Sequence, residues 1–409
     1  MIKLSALAFP LAMLVALVPV AYSQPPVSTL ATPAPPLIPA SGESELVEDV
    51  LMTCVSNAPS QSITIDVVLT LNVNLTSRIT NTATMATESL LLIDDPKPGV
   101  ANTSNGFPYF GQVLGTPGIL AGASGSGNVY QGTQALSGGV VIENQVVFFG
   151  VPYVTGGTRT FRLTNTRANV SQVGINPVNA DVAIDSAIAI NVTNPVITVA
   201  VGAPALNFTS GPIIGAVGLN LSFAERFTAA FKKRLENMPG GPLTLNHQDQ
   251  PGTVYCTESG FTPGFVALIP HAIGFADTGT RLLAVLQAIP AGVTSLSVPN
   301  QVTSLSGDLV AHRVLPPLGP HFGAGTVTTA TGNSTVAVSA THIAVVLYDV
   351  TAAAPYLGVN GCGALDTFNI GVFPSPPMSI SSTAATGFLA PIDSMGQASA
   401  TDPEPRFVP

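Results

Sequence analysis

The stretch ITIDVVLTLNVNL, from Ile63 to Leu75, decides the fold class of this chain. Apolar side chains occupy every second position in it: Ile63, Ile65, Val67, Leu69, Leu71 and Val73. Successive side chains of a β-strand point to opposite faces, so this alternation indicates a strand with one face in a core. The stretch therefore predicts a long, half-buried strand.

Short apolar runs rich in Val, Ile and Thr, broken by Gly, Pro and Asn, continue on both sides and predict further strands. The predicted strands cover residues 63–75, 88–93, 140–149, 158–166, 180–192, 196–201, 281–289, 293–298, 336–350 and 366–373. Turns recur between them at the spacing typical of sandwiches. We therefore predict an all-β protein with two tandem antiparallel β-sandwich domains, immunoglobulin-like in type, at residues 43–203 and 204–388.

The same alternation predicts the side chains of the core. The expected core residues are Ile65, Val67, Leu69, Leu71, Val73, Leu90, Leu92, Phe148, Phe161, Leu163, Val285, Val345, Leu347 and Phe368. All of them stand in the predicted strands, at positions that face inward if the strands are regular.

One segment departs from the β pattern and predicts a short helix that opens the second domain. Ser222 and Glu225 have the spacing of a capping box, and phenylalanines recur at every fourth position from Phe223 to Phe231. The basic run KKR at 232–234 suits the last turn of a helix, and PGG at 239–241 would end it.

The two ends of the sequence predict secretion. Residues 1–23 have the positive start, apolar core and small-residue cleavage site of a signal peptide, with cleavage expected after Ser23. Residues 24–42 are rich in proline and predict an extended linker or arm, free to move unless a partner holds it. Residues 389–409 read as a polar tail without a membrane anchor. We expect an extracellular protein that is not inserted in a membrane after cleavage.

Charge is scarce and acidic in balance. The chain has 13 Lys+Arg against 22 Asp+Glu, a formal net charge of −9, and only 9% charged residues. Ordinary soluble domains carry about 25%. An acidic chain does not attract nucleic acid, so nucleic-acid binding is excluded. Such a low share of charge also favours a surface that is covered in an assembly.

Three cysteines, Cys54, Cys256 and Cys362, would meet an oxidising compartment after secretion. Cys256 and Cys362 share the second predicted domain, so we predict a disulfide between them, which peptide mapping without reduction tests. Cys54 is then left over, either buried or paired with another chain. No Cys-x-x-Cys or His-x-His spacing accompanies these residues, so no metal site is predicted.

The motifs of catalysis and cofactor binding are missing from the sequence. It has no Gly-x-Ser-x-Gly elbow, no His-Glu-x-x-His, no phosphate loop and no dinucleotide fingerprint. No catalytic residue and no cofactor are therefore predicted. The densest polar stretch combines His247, Asp249 and Glu258, and it is the first place to look for a site, although a polar surface loop explains it as well. A two-carboxylate glycosidase would leave no local motif.

Several segments resemble a group of secreted β-rich proteins of soil bacteria. They are ESLLLID at 88–94, TRTFRLTN at 158–165, GTR at 279–281 and PRFV at 405–408, with Cys54 ahead of the strand at 63–75. The resemblance covers most of the chain after residue 23. It implies a secreted β-rich protein and supplies no activity or site residue.

Three functions are compatible with these observations. The favoured one is a structural subunit of an extracellular or cell-surface assembly that self-associates, as a homo-oligomer or polymer, through strand or arm contacts. An adhesion or ligand-binding sandwich module, in contact with a cell surface or a polysaccharide, is the first alternative. A glycoside hydrolase with a site that is not visible from sequence is the second.

Overall fold

The computed structural model describes residues 25–32, 35–94, 120–121, 127–232, 280–316, 325–352 and 365–390. Within these ranges the chain forms 26 β-strands and one three-residue 3-10 turn, Val170–Gln172, so the all-β prediction is confirmed. The described part of the chain contains no helix with the length and apolar character needed to span a membrane.

Fifteen of these strands belong to the first half of the chain. They are β1 (Val27–Ala31), β2 (Leu37–Pro39), β3 (Glu45–Leu46), β4 (Val50–Ser56), β5 (Ser62–Leu71), β6 (Ile79–Asn81), β7 (Ala86–Ile93), β8 (Leu120–Ala121), β9 (Gly127–Ser137), β10 (Val140–Val154), β11 (Gly157–Thr164), β12 (Arg167–Ala168), β13 (Pro177–Ser186), β14 (Asn191–Val192) and β15 (Val196–Ala203).

The second half contributes the other eleven. They are β16 (Leu206–Pro212), β17 (Leu219–Glu225), β18 (Arg281–Gln287), β19 (Ser295–Pro299), β20 (Gln301–Thr303), β21 (Leu309–Leu315), β22 (Thr326–Val327), β23 (Asn333–Ala337), β24 (Ala344–Ala352), β25 (Thr367–Ser375) and β26 (Ala384–Ala390).

The first half is built on one thirteen-stranded sheet. Its order is β14-β1-β4-β11-β7-β9-β10-β5-β13-β15-β2, with β6 beside β7 and β8 beside β9, while β3 and β12 pair separately. Neighbours are antiparallel except for β1 with β14 and β2 with β15. Met52 on β4, Phe148 on β10 and Val199 on β15 belong to one buried cluster. Because strands from distant places in the order share this core, the sheet curves around its own apolar face.

Strand β5 is central to this sheet. Val67 lies opposite Phe148 of β10 on one side and Ile184 of β13 on the other. On β5, the residues that alternation assigns to the core, from Ile65 to Leu71, are buried. The strand next to it, β10, begins at a two-residue turn in which Gly138 and Gly139 have φ of 60° and 83°, the left-handed backbone that such tight hairpins require.

The second half is a sandwich of two sheets. One has five strands in the order β16-β17-β25-β19-β23, and the other has six, in the order β20-β21-β24-β18-β26 with β22 beside β21. Phe223 and Phe368 from the first sheet share a core with Leu282 and Tyr348 from the second. At one side of the sandwich a Cβ added to Gly387 would overlap the ring of Phe208, so glycine lets β26 and β16 approach closely.

The predicted strands are present, with shifted bounds. The strand predicted at 63–75 ends as β5 at Leu71, and Leu75 then forms an isolated bridge with Ala168. The prediction at 180–192 divides into β13 and β14, and that at 336–350 divides into β23 and β24.

The helix predicted from Ser222 is wrong where the structure describes it. Ser222–Glu225 belong to β17, in which Ser222 pairs with Thr209 and with Asn369. The alternation of Leu219, Leu221 and Phe223 places these side chains in the core, and cross-strand pairing on both sides outweighs the capping-box pattern. Residues 233–241, the rest of the predicted helix, lie outside the described residues.

The predicted core is largely confirmed. Twelve of its members are buried, whereas Val285 and Val345 are half-buried. These two lie with Leu347 on the far face of the six-stranded sheet, in a small separate cluster. Alternation identified the strands correctly there, and it could not tell which of two partly apolar faces is the inner one.

Replacing Leu69 by alanine should destabilise the protein by about 2–5 kcal/mol, because Leu69 is 1% exposed at the centre of the first core. Thr64→Ala on the same strand is the control, since Thr64 is exposed and should change stability by no more than about 0.5 kcal/mol. Urea unfolding followed by circular dichroism measures both. Equal effects of the two variants would contradict the position of β5.

Candidate functional site

The N-terminal segment lies in the sheet of the first half, which corrects the prediction of a free arm at 24–42. β1 pairs antiparallel with β4, and β2 runs parallel to β15 at the other end of the strand order. Proline excludes helix but permits extended backbone, and Leu30 and Ile38 supply buried side chains. The segment therefore folds as two strands of its own chain.

Strand β1 presents few side chains to the core. Its sequence is VSTLA, and only Ser28 and Leu30 are buried, while the other three residues are exposed. The Ser28 hydroxyl lies 2.6 Å from the Cys54 sulfur of β4, directly opposite in the register. One leucine and one hydroxyl thus make up the buried surface of this strand.

The Asn194 side chain forms hydrogen bonds with the backbone of β1. The Leu30 amide donates to Asn194 Oδ1 at 2.8 Å, and Asn194 Nδ2 donates to the Leu30 carbonyl at 2.6 Å. The Thr193 amide also donates to the Ser28 carbonyl at 3.0 Å. The asparagine amide thus takes the place of a paired strand residue.

Cys54 is buried as a free thiol, with no solvent exposure. Burial raises its pKa to about 11, and the Ser28 hydroxyl only partly offsets this. A neutral, enclosed thiol is a poor nucleophile. Of the two alternatives for Cys54, burial is therefore confirmed.

The second feature of the first half is a group of buried charges, which we name the charged cluster. Its acidic members are Glu45, Glu48, Asp49 and Glu88, and its basic members are Arg78, Arg162, Arg167 and Lys232. None of the eight is more than 8% exposed. In a chain with 13 basic residues, this cluster removes a considerable part of the charge from the surface.

The best-defined ion pair of the cluster joins Arg162 and Asp49. Arg162 Nε donates to Asp49 Oδ2 at 2.6 Å, and both side chains are fully buried. Arg162 comes from β11, while Asp49 immediately precedes β4, which pairs with β11. Removing one partner of such a pair leaves the other charge buried and unpaired, which typically destabilises a protein by about 3–5 kcal/mol.

A second pair extends the cluster toward the strands β3 and β12. Arg167 Nε donates to Glu88 Oε1 at 3.1 Å, and the Arg78 amide donates to the same oxygen at 2.9 Å. Arg167 also donates to the Ser44 carbonyl at 3.4 Å. These bonds attach the residue before β3 to β12, and β12 to β7.

Lys232 brings the second half of the chain into the cluster. Its ammonium group lies 3.3 Å from Glu45 Oε2, and its side chain is 2% exposed. Just before it, the Phe231 amide donates to Glu225 Oε1 at 2.7 Å, which fixes the segment after β17. The cluster therefore links the two halves through a buried ion pair.

Glu48 is only partly compensated, by the Asp49 amide, which donates to its Oε1 at 3.1 Å. Its Oε2 is buried and forms no hydrogen bond within the described residues. Burial, reinforced by the negative charge of Asp49, raises the pKa of Glu48 to about 8. Glu48 therefore holds its proton at neutral pH, and its ionisation opposes folding.

The polar residues predicted as a site, His247, Asp249 and Glu258, lie outside the described residues, as do Cys256 and Cys362. The disulfide and the polar site stay predictions.

In the second half, Arg281, Asp349 and His312 lie opposite one another on three neighbouring strands. Within the described strands the same row continues with Gln301 and Ala390.

The sequence did not single out the charged cluster or Asn194. A usable signal was the density of arginine in TRTFRLTNTR at 158–167, which has three of the chain's 13 basic residues in ten positions. Buried arginines need partners, and such a concentration in a strand pattern indicates internal ion pairs. Nothing in the sequence around Asn194 distinguishes it from the other asparagines.

Replacing Glu48 by glutamine should stabilise the protein increasingly as pH rises. The unfolded carboxyl has a pKa of about 4.3, and the folded one about 8. Between these values the folded chain holds a proton that the unfolded chain releases, so wild-type stability falls with pH and then levels off. Urea unfolding from acid to mildly alkaline pH should show the advantage of Glu48→Gln growing across this window.

The matched control is Asp181→Asn, which makes the same change from acid to amide at an exposed position of β13. If the curves for wild type and Glu48→Gln stay parallel over the whole range, the buried, protonated state of Glu48 is contradicted.

No protein-family model matches this chain, and no curated protein matches it. Among solved structures it is similar to the C-terminal domain of the AgI/II polypeptide BspA of Streptococcus agalactiae, at 8% identity and a TM-score of 0.24, covering 88% of this chain and 98% of that one. It is also similar to the B domain of a biofilm-associated protein, at 8% identity and a TM-score of 0.22, covering 86% and 73%. The pilus backbone RrgB of Streptococcus pneumoniae matches at 8% identity and a TM-score of 0.15, covering 84% and 56%. TM-scores this low do not identify a shared fold.

Proposed function

We propose that this chain is a secreted structural subunit of an extracellular or cell-surface assembly, a filament or matrix, in which copies associate through β-strand contacts. The observation that carries the proposal is the composition of the edge strands. β16, β23 and β26 each have one neighbour in the described sheets, and none of them contains a charged residue. Monomeric β-proteins commonly protect such edges with charged side chains or proline.

Their sequences leave the edges open to pairing. β23 reads NSTVA and β26 reads AATGFLA, without proline or charge, and β16 carries a proline only at its last residue, Pro212. An unpaired strand edge presents a row of amide and carbonyl groups that another strand can satisfy. The second half therefore offers the edge of β23 for a neighbouring copy to add a strand, together with the parts of β16 and β26 that do not pack against each other.

The position of the charges supports the same function. The charged cluster is internal, so these eight side chains do not help to keep the surface dispersed. Apolar side chains meanwhile stand outside: Val140 is 69% exposed and Ile214 fully so. A surface poor in charge and marked by apolar side chains suits contact with other protein copies better than free diffusion.

A binding module is the second candidate, favoured by the hairpin between β16 and β17. Ile214 and Val217 are exposed there, and the nearby Phe373 ring packs beside Ile213 over Gly218. This apolar group lies at one end of the sandwich, where binding loops of sandwich domains are commonly found. It becomes the preferred interpretation if the protein proves monomeric.

Lysines placed on the edge strands should reduce assembly. The test variant carries Thr209→Lys, Thr335→Lys and Thr386→Lys, all at exposed positions of edge strands. The control carries Thr64→Lys, Ala183→Lys and Asn369→Lys, at exposed positions of strands with neighbours on both sides. Both change the net charge equally, so a difference in sedimentation and negative-stain images reports on the edges alone. Equal assembly by the two variants would exclude edge pairing.

A further inference from the structure

We propose that β1 is an exchangeable strand, which in the assembly leaves its own sheet and occupies the same place, beside β4, in a second copy of this chain. The inference deepens the proposed function, on which it rests, by naming the segment that passes between copies and the site that receives it.

The topology gives β1 an unusual place. β1 and β2 follow one another in the chain, separated only by TPAPP at residues 32–36, yet they lie near opposite ends of the strand order. The segment that joins them is short. Three of its five residues are proline, which favours an extended path. Short connections are among the hinges at which proteins exchange strands.

Strand β1 buries little apolar surface. Leu30 is its one large buried side chain, and Val27, Thr29 and Ala31 are exposed. On the side away from β4, β1 pairs with β14 over two residues, and further hydrogen bonds come from Thr193 and from the Asn194 side chain. Removing β1 thus uncovers much less core than removing a central strand such as β5, which has two long neighbours.

Exchange restores every contact that opening breaks. The register of five residues between β1 and β4 is the same whether the strand comes from its own chain or from a neighbour. With the expected cleavage after Ser23, only Gln24 and two prolines would precede the strand, so it could withdraw without threading. Reciprocal exchange gives a closed dimer, and exchange in one direction gives a filament.

The pair Ser28 and Cys54 provides a direct test, because their side-chain atoms lie 2.6 Å apart in opposed register. Ser28→Cys places a second thiol within reach of the native one. Two preparations of this variant, one labelled with ¹⁵N, are mixed, assembled under reducing conditions and then oxidised. Mass spectrometry of the peptide that links positions 28 and 54 distinguishes disulfides within one chain from those between chains.

We expect about half of the linked peptides to combine one labelled and one unlabelled segment. Random mixing of two equal pools gives this share when β1 is donated by a neighbouring chain. Oxidation before assembly should instead lock β1 in its own chain and abolish polymer formation. Cys54→Ser combined with Ser28→Cys is the control, which cannot form the link but should assemble. Circular dichroism checks that each variant folds.

Assembly in which every linked peptide has a single isotope would overturn strand exchange and leave the proposed function standing, with contacts at other edges. Failure of the reduced variant and of the wild type to assemble at all would overturn both. Assembly without any link between positions 28 and 54 would also overturn the exchange, because the register of β1 would then differ from the one described.

Discussion

The buried ion pair between Arg162 and Asp49 is the interaction on which the arrangement of the first half depends. It joins β11 to the segment that leads into β4, and its neighbours in the charged cluster reach β7, β12 and, through Lys232, the second half. Two fully buried charges are tolerated only when each satisfies the other, so the strands that carry them have little freedom of register. The placement of β4 in turn determines the surface on which β1 lies.

This use of charge explains an odd feature of the composition. A chain with 9% charged residues would be expected to keep them all on its surface, where they prevent association. Instead, several of the arginines are among the largest fully buried side chains. The buried ion pairs specify how the strands are arranged, and the outer faces and edges carry mainly Ser, Thr, Asn and apolar residues. The same distribution that defines the fold leaves the surface suited to association.

Alternation was enough to predict the strands, most of the core and the fold class, because period-two patterns such as 63–75 depend on local geometry alone. It failed where two local rules competed. Ser222 to Glu225 satisfy a capping box, but the neighbouring Leu219 and Leu221 fit a strand, and pairing with β16 and β25 decided between them. The proline-rich segment at 24–42 was read as free because its pairing partners, β4 and β15, are distant in sequence. The buried charges likewise pair with residues that are distant in the sequence, so composition alone does not predict their partners.

The account as a whole requires the mature chain to associate with itself. Light scattering coupled to size-exclusion chromatography, over a series of protein concentrations, tests this most directly. The account predicts a mass above that of one chain that rises with concentration, and a loss of the large species when residues 24–31 are deleted. A mass that stays at that of one chain at every concentration, with or without this segment, would contradict it.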